Sequence, residues 1–305
     1  MGIKQDKSLE ERILELKRDR NAVILVHNYQ RGEVQDIADF VGDSLELSQK
    51  AATTDADVIV FCGVHFMAET ASILCPDRIV LLPDINAGCP MADMITAEQL
   101  RQKKKEFPDA TVVTYINSTA EVKAESDLCC TSANGVKVVE SVGNSEVLFI
   151  PDQYLGQFIA SKTGKKLILW PGYCPTHMRI LPEDIIKRKQ EYPQAKVVAH
   201  PECRPEVIAL ADEALSTSGI CRYAGREDVS ELIVGTEVEI IHRLTKENPG
   251  KKFIPASKKA VCPNMKLITL EKIVMSLEEM SPVIKVPEEI RLKAKAAVDR
   301  MLAIA

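Results

Sequence analysis

The chain has 305 residues, of which 46% are hydrophobic and 27% are charged, and its formal net charge is −5. This composition is typical of a globular protein, and the negative charge excludes a general electrostatic attraction to nucleic acid or to an anionic membrane. No run approaches the roughly 18 apolar residues of a membrane span, and residues 1–20 lack the apolar core of a secretory signal, so we expect a cytoplasmic protein.

Short apolar segments rich in Val and Ile alternate with amphipathic segments along the whole chain. This alternation is typical of repeated βαβ units with parallel sheets, so we predict an α/β fold. Amphipathic helices are predicted between the strands. The predicted strands, three in each third of the chain, are 22–30, 57–63 and 78–84, then 111–119, 146–152 and 166–172, then 196–204, 231–237 and 251–257.

The first strand of each third is followed by the same polar residue types in register. Counted from His27, Tyr115 and His200, a glutamate comes six residues later, an aspartate twelve residues later and a hydroxyl residue seventeen residues later. These residues are Glu33, Asp39 and Ser44, then Glu121, Asp127 and Ser132, then Glu206, Asp212 and Thr217. The register predicts three copies of one β-α-β-α-β unit.

The repeat predicts the domain organisation. We expect three homologous three-layer αβα domains around a pseudo-threefold axis, formed by residues 1–90 with 266–305, by 91–176 and by 177–265. The C-terminal helical segment has no following strand and is predicted to pack onto the first unit. One large doubly wound sheet with accidental similarities is the alternative, and the register of the polar residues argues against it.

Each unit ends in a cysteine followed by proline, at Cys89, Cys174 and Cys262, and each pair is predicted to open a helix. Nine cysteines are an odd number, and in a reducing compartment they favour metal binding or catalysis over disulfides. Three equivalent units around one axis would bring these three thiols together. Three thiolates suit either a [4Fe–4S] cluster with one iron left open or a zinc ion with an open position. The other six cysteines are predicted to be inert, with Cys203 the strongest exception.

The chain carries a series of ordered motifs from end to end. They are HNYQ (27–30), ADFVGDSLELS (38–48), GVHFMAE (63–69), CPMA (89–92), YINSTAEVKA (115–124), CTSAN (130–134), CPTH (174–177), HPEC (200–203), STSG (216–219), GTE (235–237) and CPNMK (262–266). In these motifs the chain resembles the quinolinate synthases, the A proteins of bacterial NAD biosynthesis.

The resemblance implies a triplicated α/β fold around an oxygen-sensitive [4Fe–4S] cluster, with Cys89, Cys174 and Cys262 as its ligands. It implies a transferase that condenses iminoaspartate with dihydroxyacetone phosphate to quinolinate, with loss of two waters and phosphate. It further implies functional coupling to an L-aspartate oxidase or an aspartate dehydrogenase. Some family members carry CxxCxxC near the C-terminus, whereas Cys262 stands alone here, so redox regulation through that motif is not expected.

The reaction requires a Lewis acid, which the open iron would supply, together with proton transfer and anion binding. We predict that His27, Tyr29 and Glu202, which lie at the ends of two of the repeated strands, are catalytic. The hydroxyls of Ser216 and Thr217 could equally be plain helix caps. The predicted substrate-binding residues are Ser44, Tyr115, Asn117, Ser132, His177, His200, Ser216 and Thr217.

Two alternative functions are compatible with three converging cysteines. One is an enzyme of the diphthamide synthase type, which uses a similar [4Fe–4S] cluster to cleave S-adenosylmethionine. The other is a non-enzymatic binding module stabilised by zinc. The HNYQ, TSAN and HPEC motifs favour quinolinate synthesis.

Overall fold

A computed structural model of the chain describes residues 8–143 and 146–304. In this part of the chain twelve strands form three four-stranded sheets, and all paired strands within them are parallel. Helices flank the sheets, which confirms the predicted α/β class. No helix of the described residues is long and apolar enough to span a membrane.

The first sheet has the strand order β2-β1-β3-β4. Its segment of the chain contains α1 (Leu9–Asp19), β1 (Ala22–His27), α2 (Gly32–Asp36), β2 (Phe40–Gly42), α3 (Ser44–Thr53), β3 (Val58–Cys62), α4 (His65–Leu74) and β4 (Ile79–Leu81).

The second sheet has the order β6-β5-β7-β8. The chain segment that forms this sheet begins after a 3₁₀ turn (Ala92–Met94). It contains α5 (Ala97–Glu106), β5 (Thr111–Tyr115), α6 (Ala120–Ala124), β6 (Leu128–Cys130), α7 (Gly135–Ser141), β7 (Val147–Ile150), α8 (Gln153–Thr163) and β8 (Leu167–Leu169).

The third sheet has the order β10-β9-β11-β12. The chain segment that forms this sheet begins after a second 3₁₀ turn (His177–Arg179). It contains α9 (Pro182–Glu191), β9 (Lys196–Ala199), α10 (Pro205–Ile208), β10 (Glu213–Ala214), α11 (Thr217–Ala224), β11 (Glu231–Gly235), α12 (Ile240–Glu247) and β12 (Lys252–Pro255). The chain ends with a third 3₁₀ turn (Met265–Leu267), α13 (Leu270–Glu279) and α14 (Glu288–Ala303).

All nine predicted strands are present, and each ends earlier than predicted. The sheets also contain the edge strands β2, β6 and β10, which the sequence analysis did not predict. Each has only two or three residues, too few to show an alternating pattern.

The aspartate of the repeat has one structural role in all three copies. Each stands directly before an edge strand, and its carboxylate accepts a backbone N–H from near the start of the neighbouring strand at 2.7–2.8 Å. The pairs are Asp39 with Ile24, Asp127 with Val112 and Asp212 with Val197. The backbone N–H of each aspartate donates in return to the carbonyl of the same strand residue. This part of the repeat therefore builds the sheet edge and not the site.

The Cys-Pro pairs do not open α-helices, so this prediction is wrong. Each is followed by a single 3₁₀ turn, and the α-helix starts eight residues after its cysteine, at Ala97, Pro182 and Leu270. Two of these helices have a threonine N-cap, and the third has proline at its first position. The turn leaves each cysteine in a loop.

The two C-terminal helices pack on different parts of the molecule. As predicted, α13 lies on α1 of the first unit, where Arg12 contacts Glu278 at 2.7 Å. In contrast, α14 packs mainly against α6 and β6, where Arg300 donates to the carbonyl of Asp127 at 2.7 Å. The small residue Ala294 on its buried face packs in one apolar cluster with Ala120 and Ala124 of α6. The domain boundaries remain a prediction.

Candidate active site

The carboxyl ends of β1, β5 and β9 contribute residues to one cavity of about 230 Å³. Ligands of parallel α/β sheets bind at such strand ends, where loops lead into helices. Loops from all three sheets and the three Cys-Pro segments complete the wall. The predicted site residues that line this cavity are His27, Tyr29, Ser44, Cys89, Tyr115, Asn117, Ser132, Cys174, His177, His200, Glu202, Thr217 and Cys262.

Ser216 is the one predicted site residue outside the cavity lining. Its hydroxyl accepts the backbone N–H of Gly219 at 3.2 Å and caps α11. Its neighbour Thr217 is the first helical residue and does line the cavity. The cap interpretation therefore holds for Ser216 and not for Thr217.

The nine cysteines separate into two groups by burial. Cys89, Cys174 and Cys262 are half-buried in the cavity wall, whereas the other six thiols are buried elsewhere, and all nine are free. Burial raises the pKa of Cys89 to about 12 and raises the pKa values of Cys174 and Cys262 as well. The thiols thus keep their protons until a metal ion displaces them.

The spacing of the donor atoms tests which metal group the cysteines fit. In the ranges that the structure describes, one group of three His, Cys, Asp or Glu residues has donor atoms that all lie within 4.8 Å of one another, and it contains Cys174 but neither Cys89 nor Cys262. Tetrahedral zinc with bonds of about 2.3 Å would place its sulfur ligands about 3.8 Å apart. The three sulfurs do not all lie within 4.8 Å of one another, so they do not form a site for one zinc ion, whereas three cysteine ligands are compatible with an iron–sulfur cluster.

A chain of polar contacts crosses the cavity wall and links all three sheets. The Tyr29 hydroxyl lies 2.5 Å from the Thr236 hydroxyl, which lies 2.8 Å from Nε2 of His177. Nδ1 of the same imidazole lies 2.7 Å from Oε2 of Glu202, and Oε1 of Glu202 accepts a hydrogen bond from the Tyr115 hydroxyl at 2.5 Å. We call the contacts from Tyr29 to Glu202 the relay. All of its members are buried or half-buried, so bulk water does not interrupt it.

Glu202 is the charged end of the relay. Burial alone would raise its pKa, but the imidazoles of His177 and His200 and the hydrogen bonds from His177 and Tyr115 lower the pKa below its ordinary value. Burial lowers the pKa of both His27 and His200 to about 3, so these imidazoles are neutral near pH 7. Glu202 is therefore ionised in the resting site and stabilised by the groups around it.

The tyrosines differ from Glu202 in their electrostatics. Burial and the nearby charge of Glu202 raise the pKa values of Tyr29 and Tyr115 well above the ordinary value. Both phenols are therefore protonated in the resting site.

The cavity wall also carries hydroxyl and amide groups. The Ser132 hydroxyl lies 3.1 Å from Nε2 of His200, and Ser44 and Thr217 lie where α3 and α11 begin. Oδ1 of Asn117 is buried and has no hydrogen-bond partner among the described residues, so it is available to a ligand. The hydroxyls at the helix N-termini suit an anionic group, whereas Oδ1 of Asn117 needs a hydrogen-bond donor.

Sequence reasoning missed Thr236 and Glu237, although the GTE motif containing them was noted. Glu237 is fully buried, and its Oε1 accepts the backbone N–H of Cys262 at 3.1 Å and contacts Nζ of Lys266 at 3.0 Å. Lys266 also donates to the carbonyl of Tyr29 at 2.5 Å. Glu237 therefore fixes a cysteine loop, and Thr236 joins the relay. The available signal was their position directly after β11.

Comparison with known proteins places the chain among characterised sequences. A family model described as "Quinolinate synthetase A protein" matches residues 11–303. The quinolinate synthase of Dehalococcoides mccartyi strain CBDB1 is 64% identical over 296 residues, covering 97% of this chain and 98% of that protein. Those of Geotalea uraniireducens and Methanosarcina barkeri are 57% and 56% identical over 97% and 98% of this chain, and over 97% and 99% of their own lengths. The resemblance noted from the motifs is confirmed.

Proposed function

Because this chain belongs to the quinolinate synthase family, we propose that it condenses iminoaspartate with dihydroxyacetone phosphate to quinolinate, releasing two waters and phosphate. Membership of this family makes it an enzyme of NAD biosynthesis. The observation that carries the detailed proposal is one cavity whose wall contains three half-buried thiols together with Tyr29, His177 and Glu202 of the relay.

Cys89, Cys174 and Cys262 would hold a [4Fe–4S] cluster at the cavity wall. When bound, such a cluster supplies a Lewis acid through the iron that has no cysteine ligand. The wide spacing of the sulfurs and their location in loops support this assignment. The carboxylate of Glu237, which holds the backbone of Cys262, would keep the third ligand in place.

The relay would move the protons of the condensation. Tyr29 gives its hydroxyl proton to Thr236, Thr236 gives its own to Nε2 of His177, and the proton on Nδ1 passes to Glu202. The last contact is 2.7 Å long but not well directed for a hydrogen bond in the described structure, so this transfer requires the two side chains to realign. The phenolate of Tyr29, which lines the cavity, then takes a proton from the substrate.

The remaining polar residues would bind the anionic groups of the substrates. Tyr115, Asn117, His177 and His200 surround the place where the carboxylates would lie, and the hydroxyls of Ser44, Ser132 and Thr217 are the donors for the phosphate. His27 completes the wall beside Tyr29, with ring centroids 4.6 Å apart. The neutral imidazoles of His27 and His200 can donate a hydrogen bond without adding charge.

The apolar part of the wall would protect iminoaspartate, an imine that water hydrolyses. Val64, Phe66, Met67, Met91 and Met265 line the cavity between the polar groups. A site that excludes water prevents this side reaction and strengthens the electrostatic contacts within it. An L-aspartate oxidase or an aspartate dehydrogenase would supply the imine.

The test is an anaerobic assay of quinolinate formation from iminoaspartate and dihydroxyacetone phosphate with the iron-loaded protein. We expect quinolinate, a brown protein with broad visible absorbance, and loss of both in Cys89→Ala. Cys129→Ala, which removes a buried thiol of β6 outside the cavity, is the matched control and should keep both. A Cys89→Ala protein that still assembles a stable cluster would contradict the ligand assignment. Cleavage of added S-adenosylmethionine would instead favour the diphthamide synthase type.

A further inference from the structure

One compact set of metal-binding atoms lies within the cavity wall. The sulfur of Cys174, an imidazole nitrogen of His177 and a carboxylate oxygen of Glu202 all lie within 4.8 Å of one another. His177 and Glu202 are buried, and Cys174 is half-buried. A thiolate, an imidazole and a carboxylate are the ligand types of zinc, and three protein ligands with an open fourth position are typical of catalytic zinc sites.

The outer contacts of these residues already orient them toward a shared point. Nε2 of His177 contacts the hydroxyl of Thr236, and Oε1 of Glu202 accepts a hydrogen bond from Tyr115. The other two donor atoms, Nδ1 of His177 and Oε2 of Glu202, lie 2.7 Å apart. Nδ1 has no well-directed hydrogen-bond partner in the part of the chain that the structure describes. In the relay the Nδ1 proton lies between these two atoms, and a metal ion could take the place of that proton. Outer partners of this kind are what hold metal ligands in place.

The chemistry of the set selects the ion. Sulfur and nitrogen ligands disfavour Mg²⁺ and Ca²⁺, whereas Zn²⁺ and Co²⁺ accept a mixed set of sulfur, nitrogen and oxygen. Cys89 and Cys262 are too far away to complete a single-ion site with Cys174. The same thiol therefore belongs either to a cluster with three cysteines or to one ion with His177 and Glu202.

We propose that, in the absence of the cluster, Cys174, His177 and Glu202 bind one zinc ion, and that this ion blocks assembly of the cluster. The bound ion would take Cys174 from the cluster and remove His177 and Glu202 from the relay. Zinc would thus inactivate the enzyme before iron is loaded and have little access to these ligands afterwards.

The test uses the full-length chain prepared without iron under anaerobic conditions. Zn²⁺ is titrated against a chromophoric chelator, and Co²⁺ binding is followed through its ligand-field and thiolate bands. We expect the unchanged chain, Cys89→Ser and Cys262→Ser each to bind one equivalent of Zn²⁺. The zinc affinities of the two variants should lie within about threefold of that of the unchanged chain. Cys174→Ser and Glu202→Gln each remove a direct ligand and should weaken zinc binding by at least about 100-fold. Thr236→Val removes only the hydrogen-bond partner of a ligand and should weaken zinc binding by about tenfold.

A second measurement connects the site to cluster assembly. Iron and sulfide are added to each protein with and without one equivalent of Zn²⁺, and cluster absorbance is recorded. Zinc should suppress assembly in the unchanged chain but not in Glu202→Gln, which keeps all three cysteines. Circular dichroism establishes that each variant is folded.

The outcomes separate this proposal from the proposed function. Zinc binding that survives in Cys174→Ser, or that is lost in Cys89→Ser, would overturn the site and leave the cluster assignment standing. Zinc binding as expected in a chain that never assembles a cluster would support the site and contradict the proposed cofactor. Equal cluster assembly with and without zinc in the unchanged chain would refute the competition.

Discussion

Replacement of Thr236 by valine tests the relay most directly, because valine keeps the branched shape and removes the hydroxyl. The Tyr29 hydroxyl and Nε2 of His177 would each lose the partner seen at 2.5 Å and 2.8 Å. A buried polar group without a partner costs about 1–3 kcal/mol, so the variant should lose about 2–4 kcal/mol of stability. Proton transfer by positioned side chains contributes about 10²–10⁴-fold to rate, and we expect kcat to fall by at least about 10²-fold.

The assay compares Thr236→Val with Thr236→Ser, which keeps the hydroxyl. Initial rates of quinolinate formation are measured anaerobically on iron-loaded proteins, and cluster absorbance and thermal unfolding are recorded for each. Thr236→Ser should retain kcat within about tenfold, while both variants should assemble the cluster normally because no cysteine changes. A folded, cluster-loaded Thr236→Val protein with kcat within about threefold of the unchanged enzyme would refute the relay.

Three further changes test other parts of the site and fold. Glu202→Gln should retain cluster absorbance and lose at least about 10²-fold in kcat, since the amide cannot accept the relay proton; full activity would remove Glu202 from the mechanism. Asp212→Ala should lower the free energy of unfolding by about 1–2 kcal/mol and leave kcat unchanged, because its carboxylate accepts the backbone N–H of Val197 outside the cavity; a large loss of kcat in the folded variant would contradict this role. Burial lowers the pKa of His27 from 6.5 to about 3. As the pH falls below about 6.5, the unfolded chain therefore binds a proton at His27 before the folded chain does. The free energy of unfolding should fall as a result, by about 2 kcal/mol at pH 5. Unfolding of His27→Asn should depend less on pH over this window, and an unchanged slope would show that His27 does not contribute.

The sequence predicts the fold well because each repeated position has a repeated physical cause. Asp39, Asp127 and Asp212 recur because each holds the same backbone N–H at a sheet edge. The three thiols recur because each follows the last strand of a unit. The short strands β2, β6 and β10 were missed because two or three residues next to an aspartate carry no periodic signal.

The helix predicted after each Cys-Pro pair failed for a different reason. Proline is compatible with the first turn of an α-helix and equally with a 3₁₀ turn, so the dipeptide alone does not distinguish them. The choice is made by tertiary contacts. Asn264, for example, donates to the carbonyl of Gly88 at 2.7 Å and joins two of the cysteine loops.

The relay was missed because it exists in one copy only. Cys62, Ile150 and Gly235 all lie 35 residues after the origin of their unit and end β3, β7 and β11. The next positions are occupied by Gly63, Pro151 and Thr236, of which only the last has a hydroxyl. A search for repeated positions therefore finds the ligands of a symmetric metal group and passes over the residue that connects Tyr29 to His177. Since the two proposed substrates differ from each other, the groups that move their protons have to differ among the units, and the functional residues of this site are best sought where the repeat is broken.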